Sequence, residues 1–435
     1  MLVRLRSFLN PTDPAKLCRH VFWVGLMVRV LYMTLAHTYR FRVSEDHFQF
    51  GWEAGRIARA LVTGYGYADP FANAYLVHSG PTAWLPPLYP LLMAVVFRVF
   101  GIYSQVSAWV LMAINCVFSA ATGVATWEIA ERCFNRRVAL WSAWLWVLYP
   151  AAMQYAVRWP WEMTITTALF SFTLLLALRM RGVGAASTRL PQLRSQWLAF
   201  GLLWGLIALS NATLLIFLPV CGIWILRGTI RQPHVVRDAA LAALIFLGCI
   251  APWTGRNWQD FHAFIPLRGN FGAELCMGNG PGSQGLLMEY DHPFQAPDQL
   301  RSYASLGELR YVAQRGALAK AFISAHPAHF VADVARRIDF FWISVPHPTD
   351  EGWLNEFGRT LNFAFLSIAG LMGLALALRR SIPAAGLFAW AFLLLPIPYY
   401  LVTVHARFRH PLEPVICILI VNLFQSAELP KRWTR

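Results

Sequence analysis

Residues 86–101 read PPLYPLLMAVVFRVFG, and the topology of the chain turns on whether they cross a membrane. As a helix this stretch reaches only ~24 Å, against a hydrocarbon core of ~30 Å. If it crosses, the basic loops that follow lie outside; if it lies in the outer interface, they lie inside. Those loops carry Arg132, Arg136 and Arg137, then Arg179, Arg181, Arg189 and Arg194, then Arg227, Arg231 and Arg237, then Arg379 and Arg380, then Lys431, Arg432 and Arg435. The short loops facing the other way, near 155–160 and 210–213, hold Arg158 alone. Lys and Arg accumulate in cytoplasmic loops, so the stretch reads as an interfacial helix and not as a span.

The composition agrees with a membrane protein. Hydrophobic residues make up 57% of the chain and charged residues 14%, with a mean hydropathy of +0.45, a balance that soluble domains do not show. The net charge of +15 is spread between apolar segments instead of forming one basic patch, which excludes nucleic acid as a partner. Expected spans lie at about 20–39, 104–126, 138–153, 162–180, 196–210, 212–227, 238–252, 359–378, 383–403 and 412–427. The fold expected is an all-α polytopic membrane protein with about ten spans. Both termini are then cytoplasmic, the first helix is uncleaved, and the location is the inner (plasma) membrane. Arg29 lies inside the first span, where an arginine faces a partner or a wet cavity.

This topology divides the chain into residues 1–252, a membrane region with a catalytic first outer loop at 40–103; residues 253–358, an outer loop region; and residues 359–435, the last membrane helices. Within the second part, residues 305–343 carry Leu309, Val312, Leu318 and Phe322 at helical intervals. Of the seven cysteines only Cys276 falls in that loop, so no disulfide is expected. The Gly280, Gly282, Gly285 spacing follows no strand and encloses Pro281, and is set aside as a dinucleotide motif.

Chemistry gathers in the outer segments. A helix beginning near His47 places Asp46, Phe50, Glu53, Ile57 and Leu61 on one face. The carboxylates of Asp46 and Glu53 then stand ~10 Å apart along the axis. Either could take a proton from an acceptor hydroxyl as general base; the competing reading is an amphipathic interfacial helix with solvated acids. The stretch HARFRHPLEP at 405–414 ends in a helix that Pro411 suits as its first residue. The approach to Pro411 is expected to be extended, so that Arg407 and Arg409 point the same way beside free N–H groups, an anion site for a phosphate or pyrophosphate. Anchoring to lipid headgroups is the alternative. Glu162, in Trp159-Pro160-Trp161-Glu162, opens a span and is either favoured there by the helix dipole or bound to a sugar hydroxyl. Arg256, after Pro252-Trp253, joins the phosphate site or anchors its span. Trp52, Tyr65, Tyr67 and Trp84 are aromatic walls for a sugar or interfacial anchors.

With these residues in view the chain resembles the GT-C superfamily of glycosyltransferases, and within it glycosyltransferase family 39, which includes protein O-mannosyltransferases and the lipid A aminoarabinose transferase. The likeness lies in Glu45 and Asp46 of the first outer loop, Ala58–Leu61 followed by Gly64-Tyr65-Gly66-Tyr67, and Pro86-Pro87-Leu88-Tyr89-Pro90. It continues through Trp161-Glu162, Pro252-Trp253 with Arg256-Asn257, and Arg407–Pro414. The resemblance implies a polyprenyl-phosphate sugar donor, an acceptor hydroxyl on a lipid, protein or glycan, and transfer with inversion on the extracytoplasmic side. An acid of the first outer loop is the base in such enzymes, usually some 14 residues before the G-x-G. Phe50 stands at that position here, so Asp46 ranks first and Glu53 second. Relatives carry a basic residue just before the paired prolines; Trp84-Leu85 stand there in this chain, and His78 is the nearest candidate. The donor phosphate is assigned to Arg407, Arg409 and Arg256, and substrate contacts to Glu45, Arg56, His78, Trp84, Glu162 and His405. No cofactor is required, although Glu45-Asp46-His47 could hold a divalent cation. A transporter or flippase of lipid-linked sugars and a non-catalytic envelope scaffold are the alternatives; the first normally shows related halves, and none are visible.

Overall fold

The computed structural model describes residues 13–41, 50–73, 78–184, 193–227, 232–346 and 352–426. Glu45, Asp46 and His47 lie outside them. Helices are the regular structure of the described residues, joined by turns and loops, with one isolated bridge pairing Ala68 with Pro81.

Helices α1 (Pro14–Leu35), α2 (Glu53–Val62), α3 (Leu88–Phe100) and α4 (Gln105–Cys133) open the chain. The 13 residues of α3 extend ~20 Å, too little to cross a bilayer. Among the described residues, five helical stretches are long and apolar enough to cross: Lys16–Leu35, Gln105–Cys133, Met163–Met180, Pro233–Phe261 and Trp353–Arg379. The single span expected at 138–153 is instead two helices, α5 (Arg136–Leu148) and α6 (Pro150–Val157). Pro150 has no N–H to continue the ladder, and Tyr149 takes an extended ψ of 120°. Arg29 resolves the resulting deficit. Its guanidinium donates to the carbonyls of Val147 at 3.1 Å, Trp146 at 3.2 Å and Gly25 at 3.1 Å, so the partner of this intramembrane arginine is the broken end of α5.

Next come α7 (Met163–Met180), α8 (Arg194–Ser210), a 3₁₀ turn (Ala212–Phe217), α9 (Leu218–Leu226) and α10 (Pro233–Phe261). Helices α8 and α10 cross at small residues: a Cβ on Gly201 would collide with the Ala242 carbonyl, and one on Gly205 with the Cys249 side chain. The chain was expected to leave the membrane at about residue 252, but α10 continues through Pro252 to Phe261.

Beyond α10 lie α11 (Phe271–Gly278), α12 (Pro297–Leu306), α13 (Glu308–Ala325) and α14 (Pro327–Trp342). The helix expected over 305–343 is thus divided at His326-Pro327. These helices do not form a separate unit. Phe71 and Trp84 from the first loop share a core with Ala273, Met277, Tyr303 and Tyr311. The buried Glu308 carboxylate accepts from the Thr82 hydroxyl at 2.5 Å, the Ala83 N–H at 2.7 Å and the Tyr303 hydroxyl at 2.7 Å. Burial pushes this carboxyl above its ordinary value, and the three hydrogen bonds offset only part of the effect. The two outer segments form one helical cap. The chain closes with α15 (Trp353–Arg379), α16 (Ala385–Leu394), α17 (Ile397–Leu401), a 3₁₀ turn (Ala406–Leu412) and α18 (Glu413–Gln425). Arg337, fully buried, donates to the carbonyls of Gly278, Gly285 at 3.1 Å and Tyr400 at 3.2 Å, and to the Asn279 amide oxygen at 3.0 Å, tying cap to bundle.

Candidate active site

The helix expected to begin near His47 begins at Glu53. Gly51 (φ 76°) and Trp52 (φ 55°) are both in the left-handed region and turn the chain just before it. The turn also brings the first loop onto the start of α7. A Cβ on Gly51 would stand 2.7 Å from the Pro160 carbonyl oxygen and 3.4 Å from Cδ1 of Trp161. Gly51 of the first loop therefore lies directly beside Pro160 and Trp161.

Around Trp161 the structure collects aromatic faces and charges. The Trp159 and Trp161 rings stack at 5.4 Å and 10°. The Arg407 guanidinium lies over Trp161, 4.1 Å from the ring centroid, and 5.4 Å from that of Phe408. Phe408 stacks in turn on Tyr399 at 4.3 Å. Glu162 sits at the N-cap of α7 without making a cap hydrogen bond, and among the described residues its carboxylate has no hydrogen bond or ion pair. The Arg407 guanidinium likewise makes none among the described residues, and its Nε is buried without a partner. Arg268 retains 32% side-chain exposure while donating to the Trp84 carbonyl at 3.1 Å and approaching Glu274 at 3.5 Å. His405 borders the same hollow, edge-on to Trp161, its Nδ1 accepting the Arg407 backbone N–H at 3.3 Å.

Several expected site residues are placed elsewhere. Arg407 and Arg409 do not point the same way, because the approach to Pro411 is a 3₁₀ turn and not extended. Arg409 is fully buried, donating to the Phe363 carbonyl at 3.1 Å and to the Ser367 hydroxyl, and meeting Glu413 at 3.4 Å. Arg256 spends its guanidinium on the carbonyls of Thr82 (2.6 Å) and Tyr67 (2.5 Å) and on Asp260 (2.8 Å). Trp84 is fully buried and cannot be a wall open to a sugar. Arg56 is buried beneath Phe294, bound to the carbonyls of Ala72 at 2.8 Å and Trp52 at 3.1 Å. His78 pairs with Asp69 at 2.9 Å and stacks on Tyr65.

Glu53 faces His292 at 3.3 Å. His292 Nδ1 accepts the Phe294 N–H at 3.1 Å, so Nε2 carries the hydrogen that Glu53 receives. Burial alone would raise the Glu53 carboxyl; the hydrogen bond and charge of His292 outweigh it and hold the group below its usual value. Its second partner is Arg56, through charge alone. Among the described residues no group of three His, Cys, Asp or Glu side chains could hold a metal.

Sequence reasoning passed over Arg268, Tyr399 and His292. Arg268 carried one signal: a basic residue in an outer segment, where the positive-inside rule disfavours it.

Comparison with known proteins places this geometry. Residues 85–255 match the family model described as dolichyl-phosphate-mannose-protein mannosyltransferase. No curated protein matches the chain. Among solved structures, the archaeal oligosaccharyltransferase AglB from Archaeoglobus fulgidus, in complex with an inhibitory peptide and a dolichol-phosphate, superposes with a TM-score of 0.53 at 13% identity, over 94% of this chain and 50% of that one. The apo form of the Archaeoglobus fulgidus oligosaccharyltransferase gives 0.54 at 16% identity, over 95% and 51%. ArnT from Cupriavidus metallidurans bound to undecaprenyl phosphate gives 0.35 at 13% identity, over 92% and 78%, too loose a superposition to carry structural detail. The chain spans about half the length of the oligosaccharyltransferases it matches. It has the all-helical fold of these oligosaccharyltransferases, and over residues 85–255 it resembles the dolichyl-phosphate-mannose-protein mannosyltransferases.

Proposed function

We propose that this protein is a membrane glycosyltransferase that moves a sugar from a polyprenyl-phosphate donor to an acceptor hydroxyl, with inversion, on the extracytoplasmic face. One observation carries the reading. The Arg407 guanidinium lies over Trp161, the residue before Glu162, with no hydrogen bond or ion pair of its own among the described residues, and Gly51 of the first loop comes against the same Pro160-Trp161 stretch. A guanidinium beside stacked indoles suits a sugar phosphate: the cation takes the anion and the rings take the pyranose face. Arg268 here replaces Arg256 and Arg409, both consumed by internal partners.

Asp46 is the base in this scheme, because Glu53 is committed to His292. The acceptor oxygen attacks C1 as its proton passes to the carboxylate. The C1–O bond to phosphate breaks, and the polyprenyl phosphate departs with one further negative charge, stabilised by Arg407 and Arg268. These cations supply the charge stabilisation without a metal. Glu162 orients a hydroxyl of the sugar or the acceptor. Both termini are cytoplasmic in this orientation, which rests on the distribution of basic loops.

The test uses the full-length protein in lipid with a panel of radiolabelled polyprenyl-phosphate sugars. Wild type is expected to release or transfer sugar from one donor, and Asp46→Asn to abolish turnover while still binding polyprenyl phosphate. If no donor binds or reacts, the reading falls.

A further inference from the structure

We infer that the buried pair Glu413–His410 is the positioning device for Arg407; this rests on the reading of Arg407 as the ligand of the donor phosphate. The starting point is the 3₁₀ turn Ala406–Leu412. Such a turn has three residues per turn and rises ~6 Å in doing so, so side chains three apart eclipse one another. His410 and Arg407 are three apart. Whatever sets the rotation of His410 sets the direction of Arg407 one turn above it.

His410 is held by two aromatic rings and one carboxylate. It is fully buried, its ring stacked on Trp146 at 5.5 Å and leaning on Tyr155 at 4.6 Å, with Nδ1 on Glu413 at 2.6 Å. The aromatic column continues upward from Tyr155 to Trp159 at 5.9 Å, from Trp159 to Trp161 at 5.4 Å, and from Trp161 to the Arg407 guanidinium at 4.1 Å. Glu413 gathers the remaining restraints. Its other oxygen accepts the Tyr149 hydroxyl at 3.0 Å and approaches Arg409 at 3.4 Å, while Arg409 also reaches Ser367 on α15. One carboxylate thus fixes two successive residues of the turn against α5 and α15.

A buried ion cluster is a poor source of stability, since desolvation consumes most of the attraction. Its value lies in specificity: it allows one rotation of the turn, with Arg409 and His410 inward and Arg407 at the site. An apolar replacement of the cluster would hold the helices together yet leave that rotation free.

A double-mutant cycle tests the inference, with undecaprenyl phosphate as the probe, binding measured for wild type, Glu413→Gln, Arg407→Ala and the double variant, and melting temperature recorded for each. Positioning predicts that both single variants weaken binding by ~10-fold or more and that the double variant is no worse than Arg407→Ala alone. If Arg407→Ala weakens binding and Glu413→Gln leaves it within twofold, the inference is overturned while the functional reading stands. If Arg407→Ala has no effect, the functional reading of Arg407 falls, and a second readout decides positioning by itself: the rate at which a thiol reagent modifies Arg407→Cys, with Cys18 and Cys249, the native cysteines that are not buried, replaced by Ser. A rate changed severalfold by Glu413→Gln supports positioning, and an unchanged rate overturns it. Should Glu413→Gln fail to fold, Tyr149→Phe removes only the hydroxyl on Glu413 and carries the same cycle with a smaller expected change.

Discussion

The Arg407 guanidinium lies over Trp161, 4.1 Å from the ring centroid, and has no hydrogen bond or ion pair among the described residues. Arg409, two residues on, is fully buried, with its terminal nitrogens on the Phe363 carbonyl, Ser367 and Glu413. Neighbouring arginines of one turn therefore differ in what they offer a ligand, and their substitutions are expected to differ in kind.

For Arg407→Ala the expected loss is in donor affinity. A hydrogen bond to a charged group contributes about 1.5–3 kcal/mol, so the dissociation constant for polyprenyl phosphate should rise ~10- to 100-fold with little change in melting temperature. Arg407→Lys should restore only part of it, because an ammonium neither stacks on indole as a plane nor binds phosphate through two N–H groups. Equal binding by wild type and Arg407→Ala contradicts the assignment.

Arg409→Ala is expected to unfold, not to unbind. Removing one partner of a buried ion pair costs about 3–5 kcal/mol, because the other is left charged and unpaired. Melting temperature and the yield of monodisperse protein should fall. Well-folded Arg409→Ala protein with selectively weakened donor binding would return Arg409 to the phosphate site.

Gly51→Ala tests whether the first loop must lie on Trp161. Alanine at a positive φ costs about 1–2 kcal/mol, and the new methyl must also displace the Pro160 carbonyl or the Trp161 ring. Gly64→Ala is the control: its φ is +91°, with open space where the Cβ would sit. A larger stability loss for Gly51→Ala than for Gly64→Ala, and a fall in turnover for Gly51→Ala alone, are the expected result. Matching turnover in the two variants would show that the contact with Trp161 is dispensable.

The helices were legible because apolar length and the placement of arginine are properties of the segments themselves. Pro150 marks its own break, and residues 86–101 are short whatever they touch. The site was less legible because its members are sorted by long-range partners. Nothing local separates Arg407 from Arg409: the residue before Pro411 favours extended backbone, but Glu413 draws Arg409 and His410 inward and a 3₁₀ turn results. Arg256 stood in a plausible place, yet the Thr82 and Tyr67 carbonyls that claim it come from a loop nearly two hundred residues earlier. Arg268 lies in no motif and becomes visible only when the fold brings it to the Trp84 carbonyl of the first loop.

Acid should loosen the join between the two outer segments at Glu53–His292. The Glu53 carboxyl is held below its ordinary value in the folded protein. Its contribution is therefore fully present above the unfolded carboxylate value of about 4.3 and is lost as pH falls from there through the folded value. Melting temperature recorded between about pH 6 and pH 3 should fall more steeply for wild type than for Glu53→Gln, which has no carboxylate to protonate. Parallel curves would mean that the pair contributes nothing to the acid limb.

Arg29 gives the sharpest test of how the bundle tolerates its broken helix. Pro150 denies the Trp146 carbonyl its usual i+4 donor, and Arg29 supplies N–H groups to Trp146 and Val147 in its place. Arg29→Met leaves those oxygens short of donors in an apolar environment, at a cost of about 1–3 kcal/mol for a buried unsatisfied group. Pro150→Ala returns an N–H where the proline lacked one, so the loss from Arg29→Met should be smaller in that background. A thermal-stability cycle over the four proteins measures this coupling. Additive losses would show that Arg29 serves something other than the break at Pro150, and the nearest candidate is then the Gly25 carbonyl of its own helix.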